Sequence, residues 1–403
     1  MNSTSLPQEI FIDLVFYISQ DNQEVFLHIP LSKITSITPK PHKYLRYLGW
    51  CIRGEIGTLR TAPDLNHGVD VFLEAEDMMY SRYYYVPEGG MGFRRSMVDI
   101  EVVRNSRNIL KSSNGTNRSP SFRSSILQRD KCCVFGGFAS NEGCHAMHII
   151  PLKRGERWFR QIIDLRNAHT DPSTSSNPLT DINDIRNGLL VHSPIHAFFR
   201  SRNIGIIKTP NEFLDASDIH PSSNHPNLDT DSSHSPRSRY TLHWLTTPSP
   251  PTAAAYPNCR DATFPTSTLD PSTLPSDILL PYIYGASAVY KWGKNIDILT
   301  TQEKFPRPEQ LSAKAFDRIR HRTERGSSSH PGPSERDDDS ESESDSESSY
   351  VSDTNLNEAD IAMAAVGLFW SRSSEVQAAY QEERDAERTK ISDWLKDVPP
   401  SET

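Results

Sequence analysis

The chain has 403 residues, 29 of them proline, with a hydrophobic share of 35% and a formal net charge of −9, a composition that leaves room for two domains and puts much of the rest in loop or disorder. It holds no run near the roughly 18 apolar residues that a membrane span needs. Its start, Met1 to Ile10, lacks the basic and then apolar layout of a secretory signal, so an intracellular protein with no membrane partner is expected. Five cysteines, an odd number with Cys132 and Cys133 adjacent, argue against a disulfide framework.

Residues 1–110 alternate short apolar runs with turns. Phe11–Ile18, Val25–Ile29, Leu48–Ile52, Val69–Leu73 and Tyr83–Val86 read as strands, rich in Val, Ile, Phe and Tyr and spaced by Gly, Pro, Asn or Asp. They predict a β-rich N-terminal module, with Tyr83, Tyr84 and Tyr85 as half-buried strand packing in preference to a base-stacking platform. Residues 111–121 are polar and read as a linker.

Residues 122–210 hold the residues that carry chemistry. Arg123–Asp130 has helical spacing, with Phe122, Ile126 and Leu127 to one side and Arg129 and Asp130 placed to clamp a hairpin. Cys133 and Cys144 lack two further well-placed thiolates and read as buried free thiols. His148-Ile-Ile before Pro151 reads as a short buried strand, and Gly155–Leu165 as a helix with Trp158, Ile162 and Leu165 on one face. Asp181 and Asp184 flank the turn at Asn187 as capping residues. Gly188–Val191 reads as the hairpin partner of the first strand, followed by His192 as a surface or turn residue. Ser193 and Pro194 start a helix whose first turn carries His196. His148, Asn187 and His196 therefore sit on a strand, a strand end and a helix. A cation held there would polarise a phosphodiester, while a neutral imidazole takes a proton from attacking water.

Charge agrees with a polyanionic partner. Residues 118–208 carry 13 Lys and Arg against 7 Asp and Glu, a net of +6, whereas residues 331–403 carry 6 against 19, a net of −13. Phosphate contacts dominate nucleic-acid affinity, and Arg154, Arg157, Arg160 and Arg200 are the candidate contacts, with Arg166 on the same helical stretch. Ile204–Ile207 reads as one more strand at the end of residues 122–210, and residues 211–300 as a loop-rich extension with a strand at Tyr240–Leu245, an irregular excursion over 246–277, and a closing helix at Ile283–Trp292. In that helix Gly285 and Ala288 permit close packing. Residues 322–355 form an acidic, Ser-rich segment expected to be disordered. Residues 356–398 carry one or two helices, either packing on a protein partner or marginal alone.

The motif residues resemble the HNH endonuclease superfamily, and more narrowly an HNH-domain family widespread in fungi. The likeness rests on Phe122–Asp130, Cys133-Val134, Cys144-His-Ala-Met-His148-Ile-Ile-Pro151, Asn183-Asp-Ile-Arg-Asn187-Gly-Leu-Leu190 and Ile195-His196, with flanking matches at Tyr47–Cys51, Gly54 to Gly57 and Tyr284–Gly293. The resemblance implies a core of β-hairpin, helix and one divalent metal, whether magnesium, manganese, nickel or zinc. His148 would be the general base, Asn187 the residue that fixes the loop and orients that base, and His196 a metal ligand. Two positions depart from the family pattern. Met147 stands where an acidic or His ligand often precedes the base, and a thioether suits a hard cation poorly. Arg200 stands one helical turn after His196 and cannot ligate. His145 shares strand parity with position 147 and is the candidate second ligand. The sequence thus predicts an α+β protein: a ββα-metal core, a β-rich N-terminal module and a disordered acidic tail. Its expected activity is metal-dependent hydrolysis of nucleic acid, DNA in the first place. The alternative is a catalytically weak HNH-fold protein that binds nucleic acid or another partner.

Overall fold

A computed structural model describes residues 9–17, 22–63, 69–89, 96–104, 120–167, 179–221, 238–265 and 270–301. The acidic segment 322–355, the helices expected at 356–398 and nearly all of the linker 111–121 lie outside the described residues.

The chain begins with β1 (Phe11–Tyr17), β2 (Gln23–Pro30), α1 (Leu31–Ile37), α2 (Pro41–Arg53), β3 (Gly57–Arg60), β4 (Arg82–Pro87) and α3 (Ile100–Val103). The strands form a sheet of order β2-β1-β4-β3, antiparallel except for the β1–β4 pair. This module is α+β, not simply β-rich. The expected strand at Leu48–Ile52 is the last half of α2, which has proline in its first turn and ends at Gly54, in the left-handed region with φ 73° and its N–H on Trp50 O at 2.7 Å. A short apolar run cannot distinguish a strand from a buried helix, and here the Pro41 start and Gly54 stop decide it. Val69–Leu73 is not a strand either: it contributes one bridge, Arg60 to Asp70, and leaves Phe72 73% exposed. Tyr83, Tyr84 and Tyr85 are all buried, as strand packing requires.

Next come α4 (Pro120–Asp130), β5 (Cys144–His148), α5 (Glu156–Asn167), β6 (Gly188–His192) and α6 (Ser193–Arg200), where β5 and β6 pair as a two-stranded antiparallel hairpin. The strand expected at His148–Ile150 thus lies earlier, at Cys144–His148. After α6 come β7 (Ile204–Thr209), β8 (Arg239–Trp244), α7 (Pro250–Ala255), β9 (Arg260–Asp261) and α8 (Leu279–Trp292), with a third sheet of order β7-β8-β9.

Helix α8 ties these pieces together. At Gly285 a Cβ would stand 2.6 Å from the carbonyl carbon and oxygen of Cys51, so only glycine lets α8 lie directly on α2. A single hydrophobic cluster runs from Ile12 to Leu299. The N-terminal module, the hairpin unit and the extension therefore share one core. Arg166 of α5 reaches across to α2 and donates to Trp50 O at 3.4 Å and Cys51 O at 3.0 Å. Trp50 O already accepts from Gly54 N, and Cys51 O is a carbonyl that a helix C-terminus leaves open for the guanidinium, although burial lowers the Arg166 pKa to about 10. No helix among the described residues is long and apolar enough to cross a membrane.

The shared core holds a titratable group. His243 is fully buried, with Nδ1 3.2 Å from the Tyr284 hydroxyl, which meets the Tyr44 hydroxyl at 2.8 Å. Burial lowers its pKa from the ordinary 6.5 to about 3. In this range the unfolded chain binds the proton and the folded chain does not. Stability is therefore fully present above pH 6.5 and falls toward pH 3, with a slope of up to about 1.4 kcal/mol per pH unit from this group. Denaturant melts of wild type and His243→Phe at pH 7 and pH 5 should show a smaller acid loss in the variant. An equal loss would assign the acid sensitivity elsewhere.

Candidate functional site

One edge of the hairpin, that of β6, is covered by side chains and backbone from the end of α4 and the segment after it. Residues 188, 190 and 192 of β6 turn backbone groups away from β5, and the end of α4 and the segment after it take them. Gly188 O accepts from Arg129 at 2.8 Å, Leu190 N donates to Asp130 at 2.7 Å, Leu190 O accepts from Val134 N at 3.0 Å, and His192 N donates to Cys133 Sγ at 3.2 Å. Arg129 also grips both oxygens of Asp130, at 2.6 and 2.9 Å, and donates to Ile185 O at 3.0 Å and Thr273 O at 2.7 Å. The clamp expected from Arg129 and Asp130 is present. Among the described residues no strand pairs with the outer edge of β5.

Side chains alternate across a strand, and this sorts the histidines. On the α6 face, His145 and His196 bring their Nδ1 atoms to 3.1 Å with the rings at 85°. Met147, on the same face, is buried in the core at 1% exposure. On the opposite face, His148 stacks on Phe122 of α4, with ring centres 3.8 Å apart and planes at 12°. Its Nε2 lies 3.4 Å from Asn183 Oδ1. With that oxygen as acceptor, Nε2 carries the proton and Nδ1 keeps the lone pair.

Helix α6 holds His196 between two fixed ends. Ser193 N donates to Gly143 O at 3.0 Å at its start. At its end Arg202 takes the left-handed conformation, φ 62°, while Asn203 N reaches back to Phe198 O at 2.9 Å. Glycine is usual at such a position. Here a buried guanidinium donates to Val102 O at 2.9 Å and holds the turn. Nothing in the sequence pattern points to Arg202.

Asn187 is fully buried and bonds backbone only: Nδ2 donates to Ile150 O at 3.0 Å and Ile182 O at 2.7 Å, and Oδ1 accepts from Ile150 N at 2.8 Å. It bolts together the two chain segments that leave the hairpin, whereas Asn183 is the amide beside His148. The sequence reading assigns Asn187 both fixing and orienting; its side-chain bonds go to backbone, and the amide next to His148 is that of Asn183. Asp181 and Asp184 accept from the backbone N–H of Asn183 and Arg186 as turn caps. His192 is not on the surface: it is buried, stacked on Phe138 at 4.1 Å, with Nδ1 2.6 Å from the Tyr256 hydroxyl. All five cysteines are free thiols, and Cys133 and Cys144 are buried.

The candidate phosphate contacts divide as well. Arg157, Arg160 and Arg200 are exposed, although Arg160 also bonds Thr180 O at 2.9 Å and Glu156 at 3.3 Å. Arg154 is 6% exposed, donates to Glu101 O at 2.6 Å and lies over the Trp158 ring. A guanidinium so enclosed serves the core and presents no face to a phosphate.

The donors suit a transition-metal ion in spacing but are few. With bonds of about 2.0–2.1 Å to imidazole nitrogen, two donors stand about 2.9 Å apart at a right angle and about 3.4 Å at the tetrahedral angle, and 3.1 Å falls between. Among the described residues no group of three or more His, Cys, Asp or Glu gathers to hold a metal. The pair would supply two ligands and leave the remaining positions to water or substrate.

A two-stranded hairpin with a helix on each face, and histidines on both, defines an α+β unit of the hairpin-and-helix kind. Residues 132–207 match the family model described as HNH endonuclease, a family of nucleases that generally use a divalent metal ion. No curated protein and no solved structure matches the chain.

Proposed function

We propose that the hairpin unit is a metal-dependent endonuclease acting on DNA, in which His145 and His196 hold the metal and His148 is the general base. The observation that carries this reading is the convergence of the two Nδ1 atoms to 3.1 Å within the segment matched to the nuclease family. A bound divalent ion would polarise the phosphodiester and stabilise the leaving oxygen. The protein's own residues do the rest. The pair and His148 lie on opposite faces, so the scissile phosphate lies across the edge of β5 with which no described strand pairs, where a group can reach both. His148 Nδ1 takes the proton from the attacking water. Arg157 and Arg200, both exposed, contact neighbouring phosphates and set register without reading sequence.

Plasmid nicking with magnesium, manganese, nickel or zinc, and with chelator, tests the activity. His148→Ala should lower cleavage by about 10²-fold or more while DNA affinity stays within about twofold. Cleavage equal to wild type removes His148 from the reaction. Calorimetric titration tests the metal separately. Nitrogen donors favour nickel, zinc or manganese over magnesium, and His145→Ala and His196→Ala should each weaken binding by about tenfold or more. Unchanged binding in His145→Ala removes that ligand.

A second reading has its own support. Met147 packs in the core, and only two nitrogen donors converge among the described residues, which suits a weakly active or inactive nucleic-acid-binding protein. Wild-type chain that binds DNA but no divalent ion at millimolar concentration would establish it.

A further inference from the structure

Helix α4 ends at Asp130, outside the segment 132–207 that matches the nuclease family, yet its first turns touch the hairpin at its most constrained point. Phe122 is 5% exposed and lies flat on His148, with ring centres 3.8 Å apart. Directly opposite His148 in register stands Gly188. A Cβ at Gly188 would meet Phe122 Cζ at 2.5 Å and Ile126 Cδ1 at 2.7 Å. Both are ring or branched carbons packed in the core, and the backbone beneath is fixed by Arg129 on Gly188 O. The glycine of the Asn187-Gly188 pair is therefore the opening through which Phe122 reaches the histidine.

We infer that Phe122 is the positioning residue for His148: its ring fixes the imidazole plane from one side, so that Nε2 meets Asn183 and Nδ1 is turned to the reaction. This role deepens the nuclease reading and rests on it. A flat ring against one face removes rotation about the last side-chain bond, the freedom that would otherwise spread the base over several orientations. Misplacement of a base by about 1 Å costs on the order of 10²-fold in rate.

The test uses the full chain with Phe122→Leu, which keeps apolar bulk but not the plane, and Ile126→Val as a packing control on the same face. Cleavage by Phe122→Leu should fall about 10- to 100-fold with DNA affinity unchanged, while Ile126→Val stays within about threefold of wild type. Nitrogen and proton magnetic resonance of the His148 ring supplies a readout independent of cleavage. Wild type should show upfield ring-current shifts and one neutral tautomer protonated at Nε2, and Phe122→Leu should lose the shifts and mix tautomers. Wild-type His148 signals at the positions of an exposed imidazole overturn the inference even if the variant fails to fold. So does Phe122→Leu with an unaltered tautomer and rate. Phe122-dependent ordering in a chain that never cleaves keeps the positioning role and overturns the nuclease reading instead.

Discussion

Arg129→Met should lower stability by about 3–5 kcal/mol, the cost of leaving one member of a buried ion pair alone. Asp130 is fully buried, and in the variant its carboxylate keeps the Leu190 N–H at 2.7 Å but loses both Arg129 contacts. The carbonyls of Ile185, Gly188 and Thr273 each lose a donor at the same time. For a folded unit of this size the melting temperature should fall by about 6–20 °C. Arg129→Lys should recover less than half of the loss, because an ammonium is a point charge and cannot span acceptors on four sides. Asp130→Asn in the Arg129→Met background should be more stable than Arg129→Met alone, since it removes the stranded charge. A loss under about 1 kcal/mol for Arg129→Met would mean that the 129–134 segment does not hold the hairpin edge.

This clamp is legible in the sequence, and the reason is local. Arg129 and Asp130 close a helical pattern just before the hairpin, which leaves the hairpin as their nearest partner. The hairpin and α6 are legible for the same reason, through Gly188 and the Ser193-Pro194 start. Helix α2 is not read from Leu48–Ile52, which is short, apolar and rich in residues that suit strands; the helix shows only when that run is taken together with the proline start at Pro41 and the left-handed stop at Gly54. Arg154 reads as a surface arginine by its neighbours, but it lies in the 3₁₀ turn Leu152–Arg154 just before α5, where the chain turns it inward toward Glu101, a residue 53 positions away. Phe122 and Asn183 stand among the motif residues, yet no local pattern gives either a role. Their partner in each case is His148, and only tertiary packing brings the three together.

Asn187→Ala should cost about 2–5 kcal/mol, and the size of that loss decides what the middle residue of the His, Asn, His series does. The buried side chain makes three backbone hydrogen bonds, and alanine leaves Ile150 N, Ile150 O and Ile182 O without these partners, each at about 1–3 kcal/mol before relaxation. Asn187→Asp should be worse near neutral pH, because a carboxylate accepts from Ile150 N but repels the two carbonyls that Nδ2 served. Its stability should rise as pH falls and the carboxyl regains a proton to donate, opposite in sign to the contribution of His243. His148→Ala and Asn187→Ala can then be told apart by two measurements on the same samples. The first should lose cleavage and keep its melting temperature, since the His148 ring is only partly buried. The second should lose both together, and its residual cleavage, measured well below its melting point, should exceed that of His148→Ala. An Asn187→Ala protein that melts like wild type but does not cleave would give Asn187 a direct part in the chemistry that its hydrogen bonds, all to backbone, do not account for.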